Sequence, residues 1–205
     1  MVKVHSIFES ISGEHGPVID QGAWVTFVRL QGCNLRCLWC DTPESHDAFG
    51  GIRLHNTLVA NQIGSNNVVI TGGEPLAQTN IMGLIRQIRS NSPWIKIQVE
   101  TNGSFLIPDE SDDFEVGWVM DYKCPSSNMH MRMLPLNDLI ENISEKVVDL
   151  KFVIGDFDFY VVSAIDIMTK IHNELECQTF IISAVHADGT MIQDIPSEVF
   201  GAEIP

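Results

Sequence analysis

Short apolar runs rich in β-branched residues recur along the chain, at Val2–Phe8, Ala23–Leu30, Asn67–Ile70, Trp94–Val99, Glu115–Asp121, Val147–Val153 and Thr179–Val185. Runs of this length and composition predict β-strands. Between some of them the apolar positions change to a helical period. Ile81, Leu84, Ile85 and Ile88 share one helix face, as do Val161, Ala164, Ile165, Met168 and Leu175. Strands that alternate with helices imply a parallel sheet. Val68-Val69-Ile70 and Phe180-Ile181-Ile182 are apolar without interruption, as expected of strands buried on both faces. The predicted fold is therefore α/β, a partial or distorted barrel of about six mainly parallel strands with few helices. Ser104–Glu115 and Pro125–Leu136 read as loops from their Pro, Asp, Ser and Asn content. Ligand chemistry in such a fold concentrates where the C-terminal ends of strands meet their loops.

Composition narrows the class. The 205 residues suffice for one domain with a sizeable core, so 1–205 is expected to form a single unit. Apolar residues make up 44% and charged residues 19%, the profile of a globular chain rather than a disordered tail. Twelve Lys and Arg against 27 Asp and Glu give a formal net charge of −15. Such a charge repels a phosphate backbone and turns the expectation from nucleic acid toward small substrates. No apolar stretch approaches the roughly 18 residues needed to span a bilayer. The opening residues Met1-Val2-Lys3-Val4-His5 lack an apolar leader segment, so no membrane association and a cytoplasmic location are expected. The acidic run from Asp109 to Glu115 reads as a solvated loop.

Three of the five cysteines fall within eight residues, which fits a metal site in a reducing compartment better than a disulfide framework. The strand Ala23–Leu30 runs into Gln31-Gly32-Cys33-Asn34-Leu35-Arg36-Cys37-Leu38-Trp39-Cys40-Asp41-Thr42, a Cys-x3-Cys-x2-Cys loop just past a strand end. Thiolates ligate zinc and iron–sulfur centres alike. A structural zinc site wants four ligands and the loop supplies three, so zinc requires completion by His46 or Cys124. A cubane cluster on three cysteines instead leaves one iron open to an external ligand. Cys124 and Cys177 have no cysteine neighbour and read as structural. Further along, Val68-Val69-Ile70 leads into Thr71-Gly72-Gly73-Glu74-Pro75, where two glycines let backbone approach a ligand closely; taken alone, this is also the pattern of a tight turn.

With Trp39 at its aromatic position, the cysteine loop resembles the radical S-adenosylmethionine (SAM) superfamily, whose motif is Cys-x3-Cys-x-aromatic-Cys. The resemblance implies a 4Fe–4S cluster on Cys33, Cys37 and Cys40, with SAM on the open iron through its amino and carboxylate groups. Trp39 would pack by the adenine, and Gly72-Gly73-Glu74-Pro75 would take the amino group. An electron from the cluster would cleave SAM to a 5′-deoxyadenosyl radical that abstracts a substrate hydrogen.

Ile7-Phe8-Glu9-Ser10-Ile11-Ser12-Gly13-Glu14, Phe27-Val28-Arg29-Leu30, Cys40-Asp41-Thr42, Glu100-Thr101-Asn102-Gly103, Asp121-Tyr122-Lys123-Cys124-Pro125-Ser126-Ser127 and Leu150-Lys151-Phe152-Val153 follow one another along the chain. In this order they resemble the 7-carboxy-7-deazaguanine synthase family over most of the sequence. The resemblance implies a lyase of 7-deazapurine (queuosine-type) biosynthesis. It would convert 6-carboxy-5,6,7,8-tetrahydropterin to 7-carboxy-7-deazaguanine with release of ammonia, regenerating SAM so that it serves catalytically, with Mg²⁺ steering the ring rearrangement. Arg29 would clamp the substrate carboxylate and Glu14 its guanidine-like edge, the two catalytic positions. Ile11, Ser12, Gly13, Thr71 and the terminal Pro205 would also meet the substrate. Cys40, Asp41, Gly72, Gly73, Glu74, Asp121, Tyr122, Lys123 and, from the stretch Ser183 to His186, Ser183 would join Trp39 at SAM. Thr42 would bind Mg²⁺, with Asp41 the other nearby oxygen donor.

The chain departs from the family in two places: Ser12 stands where Gln is common, and the His-Lys pair often found near the C-terminus is missing from Ile195 to Pro205. An outside flavodoxin- or ferredoxin-type reductant is implied, docking at a local basic patch for which Arg36 and Arg53 are the candidates. An exposed sheet edge would favour a homodimer. Two rivals remain at this stage. A glycyl-radical activating enzyme shares the cluster loop, and Glu14, Arg29 and Thr42 speak against it. A catalytically silent cluster-binding interaction protein is suggested by the missing His-Lys pair.

Overall fold

Among the described residues eight strands hydrogen-bond into one sheet: β1 (Val2–Ile11), β2 (Trp24–Leu30), β3 (Ile52–Leu54), β4 (Asn67–Gly72), β5 (Lys96–Thr101), β6 (Val116–Asp121), β7 (Val148–Gly155) and β8 (Thr179–Val185). The structure, a computed structural model, describes residues 1–110, 115–155, 163–175 and 179–185. The spatial order is β3-β1-β2-β4-β5-β6-β7-β8. From β2 through β8 the six neighbouring strands run parallel, whereas β1 is antiparallel to β2 and β3 to β1. Six of the seven predicted runs thus form the parallel set, and the seventh, Val2–Phe8, lies in β1 of its antiparallel margin. Among the described residues β3 and β8 remain edges, so the sheet is an open, partial barrel.

Strand periodicity sorts side chains onto two faces. On one, Val28, Leu30, Ile70, Ile97, Val99, Trp118, Met120, Leu150 and Phe152 are buried in a single core. They pack with Leu84, Ile85 and Ile88 of α2 (Ile81–Asn91) and with Leu139, Ile140 and Ile143 of α3 (Leu136–Ile143). Each such side chain contributes about 1.5–3 kcal/mol through its burial, which makes this layer the main source of stability. On the other face the intervening residues Phe27, Arg29, Thr71, Glu100, Val119, Asp121, Lys151 and Val153 line a cavity.

Beneath that cavity, one layer toward the N-terminal ends of the strands, the connection between β1 and β2 crosses the sheet. Ile19 joins Val25 and Val69 in a small buried cluster. A Cβ on Gly16 would stand 2.1 Å from Gln98 Oε1, and one on Gly117 would stand 2.6 Å from Val18 Cγ2 and 3.1 Å from Pro17 Cγ. The loop therefore forms a floor from β2 to β6, close enough at Gly117 to leave no room for a side chain and at Gly16 to press on the end of Gln98.

Several boundaries differ from the sequence reading. Trp94 is 92% exposed and precedes β5 instead of opening it. β1 runs on to Ile11, and α1 (Asn56–Ala60), β3 and α3 are additional elements; α4 spans Ser163–Glu174. Pro125–Ser127 and His130–Arg132 form single 3₁₀ turns within the predicted loop. No helix among the described residues is long and apolar enough to cross a membrane.

Candidate active site

The cavity of about 420 Å³ opens at the C-terminal ends of the parallel strands, where Cys33, Cys37 and Cys40 line one part and Ser12, Gly13, Glu14, Arg29 and Thr71 another. A larger hollow of about 630 Å³ beside α2 contains no cysteine.

The cysteine loop is held by its own backbone. Gly32 N–H donates to the Ser45 carbonyl at 2.8 Å and Cys33 N–H to that of His46 at 3.3 Å. Arg36 Nη1 donates to the carbonyls of Cys33 (2.8 Å) and Leu35 (2.6 Å), and Nη2 to that of His46 (3.5 Å). Arg36 is thus a staple within the loop, and its side chain stays exposed at the surface. Burial pushes the Cys33 thiol up and the Cys37 thiol to about 11, with Lys123 working in the opposite direction at Cys37. These thiols keep their protons until a metal displaces them.

The residues fit an iron–sulfur cluster better than a single ion. Among the described residues no three His, Cys, Asp or Glu groups converge to hold one metal ion. Cys124, one candidate to complete a zinc site, is buried with its thiol directed to the Tyr122 carbonyl at 3.9 Å and does not line the cavity. Three free thiols line the cavity, with His46 Nε2 beside that of Cys40; three cysteines are the donor set of a cluster with one open iron.

Gly72 and Gly73 bring β4 against the cysteine loop. Gly72 has φ +118°, and a Cβ there would lie 2.3 Å from Leu30 N. A Cβ on Gly73 would lie 2.2 Å from the Gly32 carbonyl oxygen. Both positions exclude any side chain. Glu74 follows, fully buried; its Oε1 accepts from Leu76 N–H (2.8 Å) and the Thr101 hydroxyl (2.7 Å), and Oε2 from Asn102 N–H (2.7 Å). Burial nevertheless raises its pKa to about 7. Glu74 does not line the cavity. Its carboxylate braces the end of β5 against the glycine turn, a different place from the cofactor contact that the resemblance implied.

Across the cavity, Lys123 Nζ stands 2.5 Å from Asp121 Oδ2 and 4.8 Å from the Trp39 ring centroid. Burial works against its charge, but Asp121 and Cys37 together outweigh that and raise its pKa. Trp39 Nε1 donates to Ser126 Oγ at 3.3 Å, which fixes the ring. Tyr122, between Asp121 and Lys123, faces the opposite side of the sheet, packs partly buried on Phe152 with centroids 5.8 Å apart, and does not line the cavity.

At the predicted substrate end, Glu14 Oε1 accepts from Lys151 Nζ. Burial works to lower the Lys151 pKa, and Asp121 and Glu14 more than offset it. Glu100 lies beside them; burial and then the Glu14 charge raise its pKa to about 7, against the opposing effect of a hydrogen bond from Thr71. Arg29 is the contrasting group. Its Nε is buried with no hydrogen-bond partner among the described residues, and its guanidinium lies 5.4 Å from the Phe8 ring centroid. Phe8 in turn stacks on Phe27 at 5.2 Å. A buried guanidinium N–H without an acceptor is a place for an anionic ligand. Ser12 is buried, its hydroxyl donating to the Glu14 carbonyl at 2.9 Å, and Thr42 Oγ1 donates to Asp41 Oδ1 at 3.4 Å.

Most predicted positions therefore share one cavity. Ile11 is 58% exposed at the end of β1 and does not line it. Ser183 lies in β8 in register with Val153. His186 and Pro205 fall outside the described residues. Phe27, His46, Glu100, Asn102 and Lys151 also line the cavity. The motifs containing Glu100, Asn102 and Lys151 carry a signal in the sequence, a polar side chain near the end of an otherwise apolar strand, but no role followed from it.

Residues 27–115 match the Radical SAM superfamily. A 7-carboxy-7-deazaguanine synthase from Methanospirillum hungatei is 37% identical over 161 residues, covering 77% of this chain and 63% of that protein. One from Aquifex aeolicus is 35% identical over 120 residues, 57% of this chain and 52% of that protein. This chain thus spans less than two thirds of the length of these two relatives. One from Leptospira interrogans is 35% identical over 173 residues, 75% of this chain and 70% of that protein. The crystal structure of QueE from Escherichia coli shares the fold, with a TM-score of 0.60 at 20% identity over 90% of this chain and 84% of that one. By its likeness to relatives of which it covers more than two thirds, the chain belongs to the 7-carboxy-7-deazaguanine synthase family of the radical SAM superfamily.

Proposed function

We propose that this chain converts 6-carboxy-5,6,7,8-tetrahydropterin to 7-carboxy-7-deazaguanine with release of ammonia, as a radical SAM lyase of 7-deazapurine (queuosine-type) biosynthesis. The observation that carries the proposal is the cavity itself, which sets three free cysteines opposite Arg29, whose buried Nε has no partner among the described residues, and a carboxylate, Glu14. A 4Fe–4S cluster and SAM are the cofactors, and together they supply hydrogen-atom abstraction from the substrate. Cys33, Cys37 and Cys40 hold the cluster. Gly73, in the cavity wall against the cysteine loop, offers SAM its backbone, and Trp39, Lys123 and Asp121 flank it.

Arg29 receives the substrate carboxylate with its two-pronged guanidinium. Glu14 accepts from the guanidine-like edge, sharing its charge with Lys151. Phe27 and Val153 add apolar walls that limit water around the reacting centre. Thr42 and Asp41 offer the hard oxygen donors that Mg²⁺ prefers, the remaining positions being filled by water and substrate. Residues 1–205 act as one radical SAM core domain in the cytoplasm, served by a flavodoxin- or ferredoxin-type reductant. The open edge at β3 supports a homodimer.

The test is anaerobic incubation of iron-reconstituted, reduced chain with SAM, Mg²⁺ and the carboxytetrahydropterin. The deazaguanine chromophore is expected, with SAM not consumed in proportion to product. Its absence from a fully loaded preparation that still cleaves SAM would reject the substrate assignment and leave the radical SAM membership intact.

A further inference from the structure

His46 belongs to none of the roles assigned above, yet its Nε2 lies 3.2 Å from Cys40 Sγ. Its position is fixed by the fold. Pro43–Ser45 form a 3₁₀ turn, and His46 N–H closes it on the Pro43 carbonyl at 3.1 Å. The His46 carbonyl is held from the other side by Cys33 N–H and Arg36. The chain thus doubles back so that the imidazole, six residues after Cys40, meets the thiol of that same cysteine.

A second donor stands at Cys33. Asn102 Nδ2 is 3.7 Å from Cys33 Sγ and 2.9 Å from Asn34 Oδ1. Its amide orientation is decided by Ser104, whose N–H (3.1 Å) and hydroxyl (2.6 Å) both donate to Asn102 Oδ1. Nδ2 must then face the sulfur. Leu35 N–H also points to Cys33 Sγ, at 3.4 Å.

A cysteine bound to iron carries no proton and can only accept hydrogen bonds. If these contacts persist on loading, His46 and Asn102 are the donors. Hydrogen bonds to a cluster's sulfurs favour the reduced, more negative state and so raise its potential. We propose that His46, through Cys40, and Asn102, through Cys33, set the potential at which the cluster accepts its electron. The proposal rests on the reading that Cys33, Cys37 and Cys40 hold the cluster.

The experiment uses the full chain reconstituted with iron and sulfide, in the native form and as His46→Phe, His46→Gln and Asn102→Leu. Iron content, the electron paramagnetic resonance spectrum after dithionite reduction and the midpoint potential are read without substrate. His46→Phe is expected to keep its iron and to reduce at a more negative potential. His46→Gln, whose amide restores a donor, should fall between it and the native chain. Asn102→Leu should shift the same way by less, because its contact is longer. An unchanged potential in His46→Phe at full iron content overturns the inference. So does loss of iron from both His46 variants, which would make His46 a brace or ligand. A native chain that takes up no iron overturns the underlying cluster reading, and is recognised before any substitution is made.

Discussion

Lys151 on β7 holds the carboxylate of Glu14, a residue 137 positions earlier in the chain, at the edge of the cavity that also contains the three cysteines. The link joins the β1–β2 connection to the far side of the parallel sheet. It also places a cation between Glu14 and Glu100, whose carboxyl is already pushed to about 7. Replacing Lys151 by Met should leave two neighbouring carboxyls without their counter-ion. A loss of about 1–2 kcal/mol of stability is expected, kept modest because Glu14 is partly exposed, together with a rise in KM. Denaturant unfolding and steady-state kinetics read the two effects separately.

Arg29 is expected to act through substrate binding. Arg29→Ala should cost about 2 kcal/mol of binding, roughly a 30-fold rise in KM. Arg29→Lys should recover only part of it, because an ammonium cannot replace the planar fork. Equal kinetics for the native chain and Arg29→Ala would remove Arg29 from the substrate pocket.

The carboxyl at Glu100 gives stability a pH dependence of defined sign. Its folded pKa of about 7 lies above the ordinary value of 4.5, so the folded chain binds the proton more tightly than the unfolded one. Stability therefore falls as pH rises from about 4.5 to about 7. Glu100→Gln should flatten that part of the profile in unfolding titrations run at several pH values. Glu74 has a similarly raised pKa, but Glu74→Gln should behave differently. An amide NH₂ would oppose the donors of Leu76, Thr101 or Asn102, and about 1–3 kcal/mol should be lost at every pH.

Gly73→Ala should separate folding from loading. The added methyl meets the Gly32 carbonyl oxygen, one residue before Cys33, so β4 and the cysteine loop must part. Reduced iron uptake is expected with far-ultraviolet circular dichroism close to native. Full iron content would show that the loop tolerates the displacement.

The sequence carried the parallel core because uninterrupted apolar runs such as Val68-Val69-Ile70 admit few other readings. Most of the cavity was legible too, since the cysteine triad and the glycine turn are contiguous motifs. The misses have physical causes. Leu136, Leu139, Ile140 and Ile143 have helical spacing, but α3 is only eight residues long and follows a Pro- and Asn-rich stretch. β3 offers no periodic signal, as Ile52 and Arg53 are both exposed. Tyr122 shows a local rule overlooked: strand alternation places Asp121 and Lys123 at the cavity and the residue between them against the core. Glu100 and Lys151 needed the tertiary fold, because a lone charged residue in a strand reads equally well as solvent-facing.

The floor under the cavity bears on how the chain folds. Val18 and Ile19 find their packing partners on β2, β4 and β6, and Gly16 rests against Gln98 of β5. The β1–β2 connection therefore gains its full side-chain packing only once β4, β5 and β6 stand beside it, about 120 residues into the chain. Glu14, carried on that connection, meets Lys151 later still. The N-terminal segment is thus made first and positioned late, so the substrate end of the cavity is completed only after the strands that support it have assembled.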